Sequence, residues 1–285
     1  MECYFEKCIV IGSGQFAFKC AKYLKEEFQL DYVYEYGSYM QSRLGDLCKK
    51  DNMPYVKLCD KTDCNDLMAS VITSKKKTLI ISASNIYIFP AYVTECSDVK
   101  IINYHPALLS HHLGRNAEAW AIYGQDEVTG VTWHEVTSEI DHGLILAEEI
   151  IELDNNINSI KLMIKQYQIG FLLFKKIIGK IIENKNIQKC TVQKYGNMHF
   201  SYEKPNDGVL DLSWNIEKIS SFLRSMDYGN LNIMGRPYFV EKNIKYVWDS
   251  FEILENERQL TENDKAIKKE NLICILRNVR QENSI

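Results

Sequence analysis

Apolar positions in the first half of the chain fall into two alternating patterns. Cys8-Ile9-Val10-Ile11 and Thr78-Leu79-Ile80-Ile81 are apolar or nearly so at every position, whereas the stretches between them carry apolar residues at helical spacing. A short continuous apolar run predicts a strand covered on both faces, as in the middle of a parallel sheet. The pattern predicts strands at Cys8–Ile11, Tyr32–Tyr34, Tyr55–Leu58, Thr78–Ile81 and Val99–Asn103, with helices at Phe16–Phe28, Ser42–Lys50 and Cys64–Thr73. Val131–Val136 and Ile145–Leu153 are two further strands. Ser159–Glu183 predicts one long helix with a core stripe of Ile160, Met163, Ile164, Tyr167, Phe171, Phe174 and Ile178. This alternation predicts an α/β fold, a doubly wound and mostly parallel sheet.

The pattern changes near residue 194. Lys194 to Gly208 is rich in Gly, Asn, Pro and charge, as a linker would be. Beyond it Ser213-Trp214-Asn215 caps a helix reaching about Met226, and Lys245–Trp248, Phe251–Leu254 and Leu272–Leu276 predict strands. The domain expectation is therefore a catalytic domain over 1–193, a linker over 194–208 and a small β-rich α+β domain over 209–285. Glu255 to Glu270 reads as a charged, solvated loop, and Gln281 to Ile285 as disordered chain.

Composition narrows the class. With 285 residues, 46% apolar and 25% charged, the chain is an ordinary globular protein with ample core. A formal net charge of -4 argues against broad binding to nucleic acid, which needs a dense cationic face. It leaves a local basic pocket open. The nine cysteines are odd in number and lack CxxC spacing, which predicts reduced thiols in a cytoplasmic protein. No apolar segment precedes the first strand, so no signal peptide is expected, and lysines interrupt the apolar stretch 157–182, so no membrane span is expected.

Chemistry concentrates between Ile101 and Gly143. Asn103 and His105 are two residues apart at the end of a buried strand, so both side chains can face one side where ligands of open parallel sheets bind. A turn between Gly130 and Gly143 could return Asp141 to the same place. A His moves protons near neutrality, a carboxylate orients it, and an Asn amide can donate to a developing oxyanion. By spacing alone, such residues at strand ends are structural more often than catalytic, and an Asn in a turn usually caps its own backbone. His111 and His112 are adjacent, point apart, and read as loop residues; no metal site is expected. Gly12-Ser13-Gly14-Gln15-Phe16-Ala17 has two readings. With Glu35 downstream it fits a dinucleotide fingerprint, and it also fits a tight turn near an acceptor's phosphates.

Asn103-Tyr104-His105-Pro106-Ala107-Leu108-Leu109, then Gly114-Arg115-Asn116, Gly130-Val131-Thr132-Trp133-His134 and Ile140-Asp141-His142-Gly143 resemble the signature of folate-dependent formyltransferases. The resemblance is strong over residues 99–152 and weaker over the first 190. It implies that Asn103, His105 and Asp141 form the catalytic set and that 10-formyltetrahydrofolate is the co-substrate. The folate pocket would include Ser84, Ile86, Tyr87 and Phe89 of the loop 84–90, and Glu139 and Ile140 of the turn before Asp141; core packing is an equal reading of Tyr87 and Phe89. A similar turn in that family places Gly12, Ser13, Gly14 and Gln15 near the acceptor.

The resemblance also bears on the acceptor. Enzymes of the family that act on tRNA carry a basic insertion after the second strand, where this chain has Tyr36 to Arg43 with one cation, and residues 201–285 hold 12 Lys and Arg against 14 Asp and Glu. The run Leu212-Ser213-Trp214 through Tyr228-Gly229 is similar to the second domain of sugar N-formyltransferases. The resemblance therefore implies a nucleotide-linked amino sugar. The alternatives are an aminoacyl group on a carrier protein or methionyl-tRNA. A homodimer is left open, with Phe222 or Trp248 at its interface.

Overall fold

The computed structural model describes residues 3–37, 42–185, 187, 190–231, 233–255 and 259–282. The chain folds as two compact units, one of Met1–Gly114, Thr129–Ile151 and Ile164–Met198, the other of Arg115–Val128, Glu152–Met163 and His199–Ile285. In chain order the elements up to the long helix are β1 (Lys7–Gly12), α1 (Gly14–Glu27), β2 (Tyr32–Tyr36), α2 (Leu44–Lys50), β3 (Tyr55–Leu58), α3 (Lys61–Thr73), β4 (Thr78–Ala83), α4 (Ala91–Thr94), β5 (Val99–His105), β6 (His112–Gly114), α5 (Ala117–Gly124), β7 (Val128–Glu135), β8 (Ile145–Glu152) and α6 (Ser159–Ile182).

The central sheet has seven strands in the order β3-β2-β1-β4-β5-β7-β8. Its first five strands are parallel, and β7 runs antiparallel to β5. This is the doubly wound fold that the alternation of periods predicts. β4 is buried at every position and β1 at all but its first, as expected for strands covered on both faces. The chain departs from β1 first toward β2 and later toward β4, so the strand order reverses between β1 and β4. The loops leaving the carboxyl ends of β1, β4 and β5 border that crevice, the usual ligand position of such sheets.

Local chemistry sets the helix ends. The predicted third helix begins three residues early because Asp60 accepts from the backbone N–H groups of Thr62 and Asp63 and caps it. The stripe on α6 is rotated from the expected one. Leu162, Gln166, Gly170, Leu173, Phe174, Ile177, Ile178 and Ile181 face inward, while Ile164 is 48% exposed. A polar residue, Gln166, thus occupies the stripe, which a search for apolar positions alone passes over.

The second unit has its own core, with Phe222, Leu223, Trp248, Cys274 and Leu276 at its centre. After α6 the chain continues through β9 (Asn197–His199), which pairs with β6, and the second unit then holds α7 (Ile216–Ser225), β10 (Phe239–Glu241), β11 (Ile244–Val247), β12 (Ser250–Leu254), β13 (Lys265–Lys269), β14 (Leu272–Arg277) and β15 (Arg280–Gln281). The last six form two three-stranded sheets, β10-β11-β15 and β12-β14-β13. Three expectations need correcting. Residues 265–269, read as part of a solvated loop, form β13, whose Ile267 is buried opposite Cys274. Gln281 is paired with Tyr246 in β15, while residues 283–285 lie outside the described residues. Phe222 is fully buried and Trp248 nearly so in this single chain, so packing within the unit accounts for both and neither is free to form an interface. The stretch 194–208 is structured: it holds β9 and a 3-10 turn at Pro205–Gly208.

Among the described residues, no helix is long and apolar enough to cross a membrane.

Candidate active site

Three loops meet at the carboxyl edge of the sheet. A Cβ at Gly12 would lie 1.8 Å from the Ala83 carbonyl oxygen, so only glycine allows β1 to end this close to β4. The Ser13 hydroxyl donates to the Ser84 carbonyl at 2.9 Å and so does not cap α1. Gly14 and Ser84 both take left-handed φ, +66° and +54°. Gln15 is exposed beside them. The turn expected near the acceptor and the loop expected near the folate are thereby tied to each other.

Register then lines up a polar row across the sheet. Ser82 pairs with Asn103, and Asn103 with His134. All three are polar side chains on strands of the central sheet, and their hydrogen bonds fix one another's direction. The Tyr87 N–H donates to Asn85 Oδ1 and Asn85 Nδ2 donates to Ser82 Oγ at 3.2 Å. The Ser82 proton must therefore go to Asn103 Oδ1, 2.7 Å away. That leaves Asn103 Nδ2 facing His134 Nε2 at 3.1 Å, while His134 Nδ1–H donates to the Glu135 carbonyl at 2.9 Å. Asn103 is left with one amide hydrogen to offer a ligand.

His105 and Asp141 close the group. His105 is buried, its Nε2 donating to the His112 carbonyl at 2.7 Å and its Nδ1 3.5 Å from Asp141 Oδ2. The same carboxylate accepts the Gly114 N–H at 2.8 Å and approaches His134 Nε2 to 3.4 Å. Burial alone would raise the Asp141 pKa, but the neighbouring His105 and the Gly114 N–H outweigh it and hold the carboxyl well below the usual range. Burial pulls His105 downward, opposed by the Asp141 carboxylate and the His112 carbonyl. Both ring nitrogens of His105 face acceptors, which opposes the effect of burial on its protonated form without cancelling it. A separation of 3.5 Å is a loose contact of the kind that can tighten when a ligand binds.

Asp141 reaches this position by an unusual backbone. Its φ is +56°, a left-handed conformation that a non-glycine residue adopts only when the surroundings enforce it. Gly143, two residues on, lies so close to β7 that a Cβ would sit 1.5 Å from the Glu135 carbonyl oxygen.

The structure thus brings Asn103, His105 and Asp141 together and sets Gly12–Gln15 and Ser84 on adjoining loops. Glu139, Ile140 and Ile86 are exposed near the turns they belong to. Tyr87 and Phe89 face inward, and the Tyr87 hydroxyl bonds to Asn65 Oδ1; core packing, the second reading of these two, fits their burial. His112 is not the loop residue expected: it is buried in β6 and its carbonyl is the acceptor for His105. Sequence reasoning gave no role to Ser82, His134 or Gln166, although a polar residue inside an apolar strand or stripe was the available signal. Among the described residues, no group of three His, Cys, Asp or Glu side chains is placed to hold a metal ion.

Comparison with known proteins places this geometry. Residues 46–168 match the family model described as formyl transferase. The GDP-perosamine N-formyltransferase of Brucella melitensis is 26% identical over 167 residues, which are 57% of this chain and 63% of that protein. A methionyl-tRNA formyltransferase of Prochlorococcus marinus is 27% identical over 48% of this chain and 38% of its own length. The matched stretch thus spans less than two thirds of either relative. Among solved structures, the N-formyltransferase from Helicobacter canadensis, in complex with folinic acid and dTDP-3-aminofucose, superposes with a TM-score of 0.70 at 16% identity, covering 96% of this chain and 99% of that one. A 4-N formyltransferase from Francisella tularensis does so with a TM-score of 0.67 at 23% identity, covering 83% and 93%. Residues 46–168, which carry Asn103, His105 and Asp141, are thus similar to the formyl transferase family, and both relatives matched to the chain are formyltransferases.

Proposed function

We propose that this chain transfers the formyl group of 10-formyltetrahydrofolate to the amine of a nucleotide-linked amino sugar. The observation that carries the reading is the meeting of Asn103, His105 and Asp141 at the sheet's carboxyl edge, inside the matched formyl transferase segment. The Brucella and Helicobacter proteins support the acceptor class: one is named for GDP-perosamine, and the other was solved with folinic acid and a dTDP-linked amino sugar. Exposed Ile86, Ile88, Ile140 and Leu144 provide an apolar rim on the two loops where a pterin would lie, with backbone groups of Ser84 and the 139–141 turn beside them. The Gly12–Gln15 turn, at the start of a fourteen-residue helix without a side-chain cap, suits the acceptor's phosphates. Such an enzyme would work in the cytoplasm, where reduced folate and nucleotide sugars are made.

The folate supplies an activated formyl group, and the chain's residues have three tasks. Asn103 directs its remaining amide hydrogen at the formyl oxygen as that oxygen gains charge, and His105, in its protonated form beside the Asp141 carboxylate, adds a positive field; removing one such donor costs about 10²–10³ in rate. Asp141, ionised at neutral pH, accepts the proton released when the acceptor's neutral amine attacks, directly or through a water. His105 holds its proton between Asp141 and the His112 carbonyl, ready for the departing nitrogen.

The test is to incubate the chain with 10-formyltetrahydrofolate and a panel of dTDP-, UDP- and GDP-linked amino sugars, reading formylated product by mass spectrometry. At least one sugar should be formylated. His105→Ala and Asp141→Asn should lower kcat by about 10²–10⁴ with the circular dichroism spectrum unchanged. Either variant turning over at the wild-type rate removes the assignment.

A further inference from the structure

We propose that Tyr195 is a positioning residue for Asp141, acting through His142, so that the strap of chain from Cys190 to Met198 sets the His105–Asp141 geometry. The proposal rests on the formyl-transfer reading of the site.

The turn that carries Asp141 is held partly from within. The Thr137 hydroxyl donates to the Glu139 carbonyl at 3.0 Å, and His142 Nδ1–H donates to the Ile140 carbonyl at 2.6 Å. Neither bond ties the turn to anything beyond itself. Tyr195 does. Its hydroxyl donates to the His142 carbonyl at 2.9 Å, and its ring lies on the His142 imidazole with centroids 4.0 Å apart and planes at 38°. One residue thus grips both the backbone and the side chain of the position that follows the left-handed Asp141.

Tyr195 is itself anchored at both ends of the strap. Cys190 and Ile145 exchange two backbone hydrogen bonds, at 2.9 and 3.2 Å. On the other side the Gly196 N–H donates to the Leu109 carbonyl and the Asn197 N–H to the His111 carbonyl. A Cβ at Gly196 would lie 2.0 Å from the His111 oxygen, so the strap can lie this close only with glycine there. Between these anchors Val192, Tyr195 and Met198 pack on Leu109, Leu113 and Ile145.

The strap therefore joins two loops. The loop 109–114 supplies the His112 carbonyl that accepts from His105 and the Gly114 N–H that donates to Asp141. The turn 139–145 supplies Asp141. Apart from the strap and the bonds at His105 and Asp141, the two loops meet through the small apolar cluster of Leu109, Leu113 and Ile145, and the strap covers that cluster. A segment whose composition reads as linker thereby determines where the catalytic carboxylate stands.

The test compares Tyr195→Phe, which removes only the hydroxyl, with the wild type. Tyr195→Phe should keep its melting temperature and its KM for both substrates while kcat falls by about ten- to a hundredfold, the scale of an ångström-sized misplacement of a catalytic group. In an Asp141→Asn background the same change should have no further effect, because the residue it acts through is gone. A second readout does not depend on activity. Titration of the His105 imidazole by NMR should move downward in Tyr195→Phe, since a displaced Asp141 opposes burial less. Wild-type kcat in Tyr195→Phe, or an equal fractional loss in the Asp141→Asn background, overturns the proposal. So does an unchanged His105 titration. A wild-type protein that formylates none of the amino sugars, yet whose His105 titration moves as expected in Tyr195→Phe, overturns the functional reading and leaves the positioning role standing.

Discussion

The Asn103 amide receives a proton from Ser82 on one side and gives one to His134 on the other, so its direction is fixed before any substrate arrives. The carboxylate of Asp141 is treated likewise, with the Gly114 N–H, His105 and His134 around it. That surrounding has a pH signature. A carboxyl whose folded pKa lies below its unfolded value of about 3.9 stabilises the fold above that pH and loses the contribution as pH falls through the folded value. The stability gap between wild type and Asp141→Asn, measured by urea unfolding, should be constant above about pH 5 and narrow steadily once the pH falls below the unfolded value of about 3.9. A gap that does not narrow below that value would mean Asp141 is not held ionised in the folded protein. Sequence made the three convergent residues legible because they sit in a recognisable order beside glycines and strand ends. Their supports were not legible. Ser82 and His134 matter through cross-strand register, and register is set by pairing between segments distant in the chain.

Among the elements, the parallel core followed directly from continuous apolar runs, and strand β3 falls at the predicted residues. The face of α6 did not follow. Met163, Ile164, Tyr167 and Phe171 form a plausible stripe on periodicity, yet the buried face runs through Gln166 and Gly170. The reason is local. Gln166 Nε2 donates to the Pro106 carbonyl at 2.6 Å and to the Gly130 carbonyl at 3.1 Å, and Gly170 leaves room for the Tyr104 ring, which its Cβ would meet at 2.3 Å. Helix α6 thus clamps the segment after His105 to β7. Gln166→Leu keeps the volume but removes the donor to one buried and one part-buried carbonyl, at about 1–3 kcal/mol for a buried group left unsatisfied. For a chain of this size each kcal/mol lowers the melting temperature by about 2–4 °C. Gln166→Leu should melt several degrees below wild type by calorimetry, with kcat reduced because Pro106 adjoins His105. An unchanged melting temperature would show that the clamp carries no weight. Strand β13 was missed for a different reason: its sequence Lys-Ala-Ile-Lys-Lys has a single large apolar residue, and only pairing with β14 makes it a strand.

For the whole molecule the open choice is the acceptor, and charge decides between a small nucleotide sugar and a nucleic acid. The relatives include both sugar and methionyl-tRNA formyltransferases, so homology leaves the choice standing. Neutralising several phosphates of a folded RNA requires a cationic face, and affinity gained that way falls steeply with salt. This chain has a formal charge of -4, and its last 85 residues carry more acids than bases. Lys218, a candidate cation in the second unit, is turned inward: its Nζ donates to the Tyr123 carbonyl at 2.8 Å and lies 3.3 Å from the centroid of that ring. Arg224 likewise donates to the Ile157 carbonyl. These cations are held by their own unit and are poorly placed to meet phosphates. A nucleotide sugar presents only two phosphates, which one helix N-terminus can take without a basic surface. We therefore expect excess methionyl-tRNA neither to be formylated efficiently nor to compete with the amino sugar, and tRNA affinity at physiological salt to be no tighter than the nonspecific level of about 10⁻⁴–10⁻⁶ M. Competition kinetics at two salt concentrations read this directly. Strong inhibition by tRNA that disappears with added salt would place a nucleic-acid face on the second unit and move the acceptor from a sugar to tRNA.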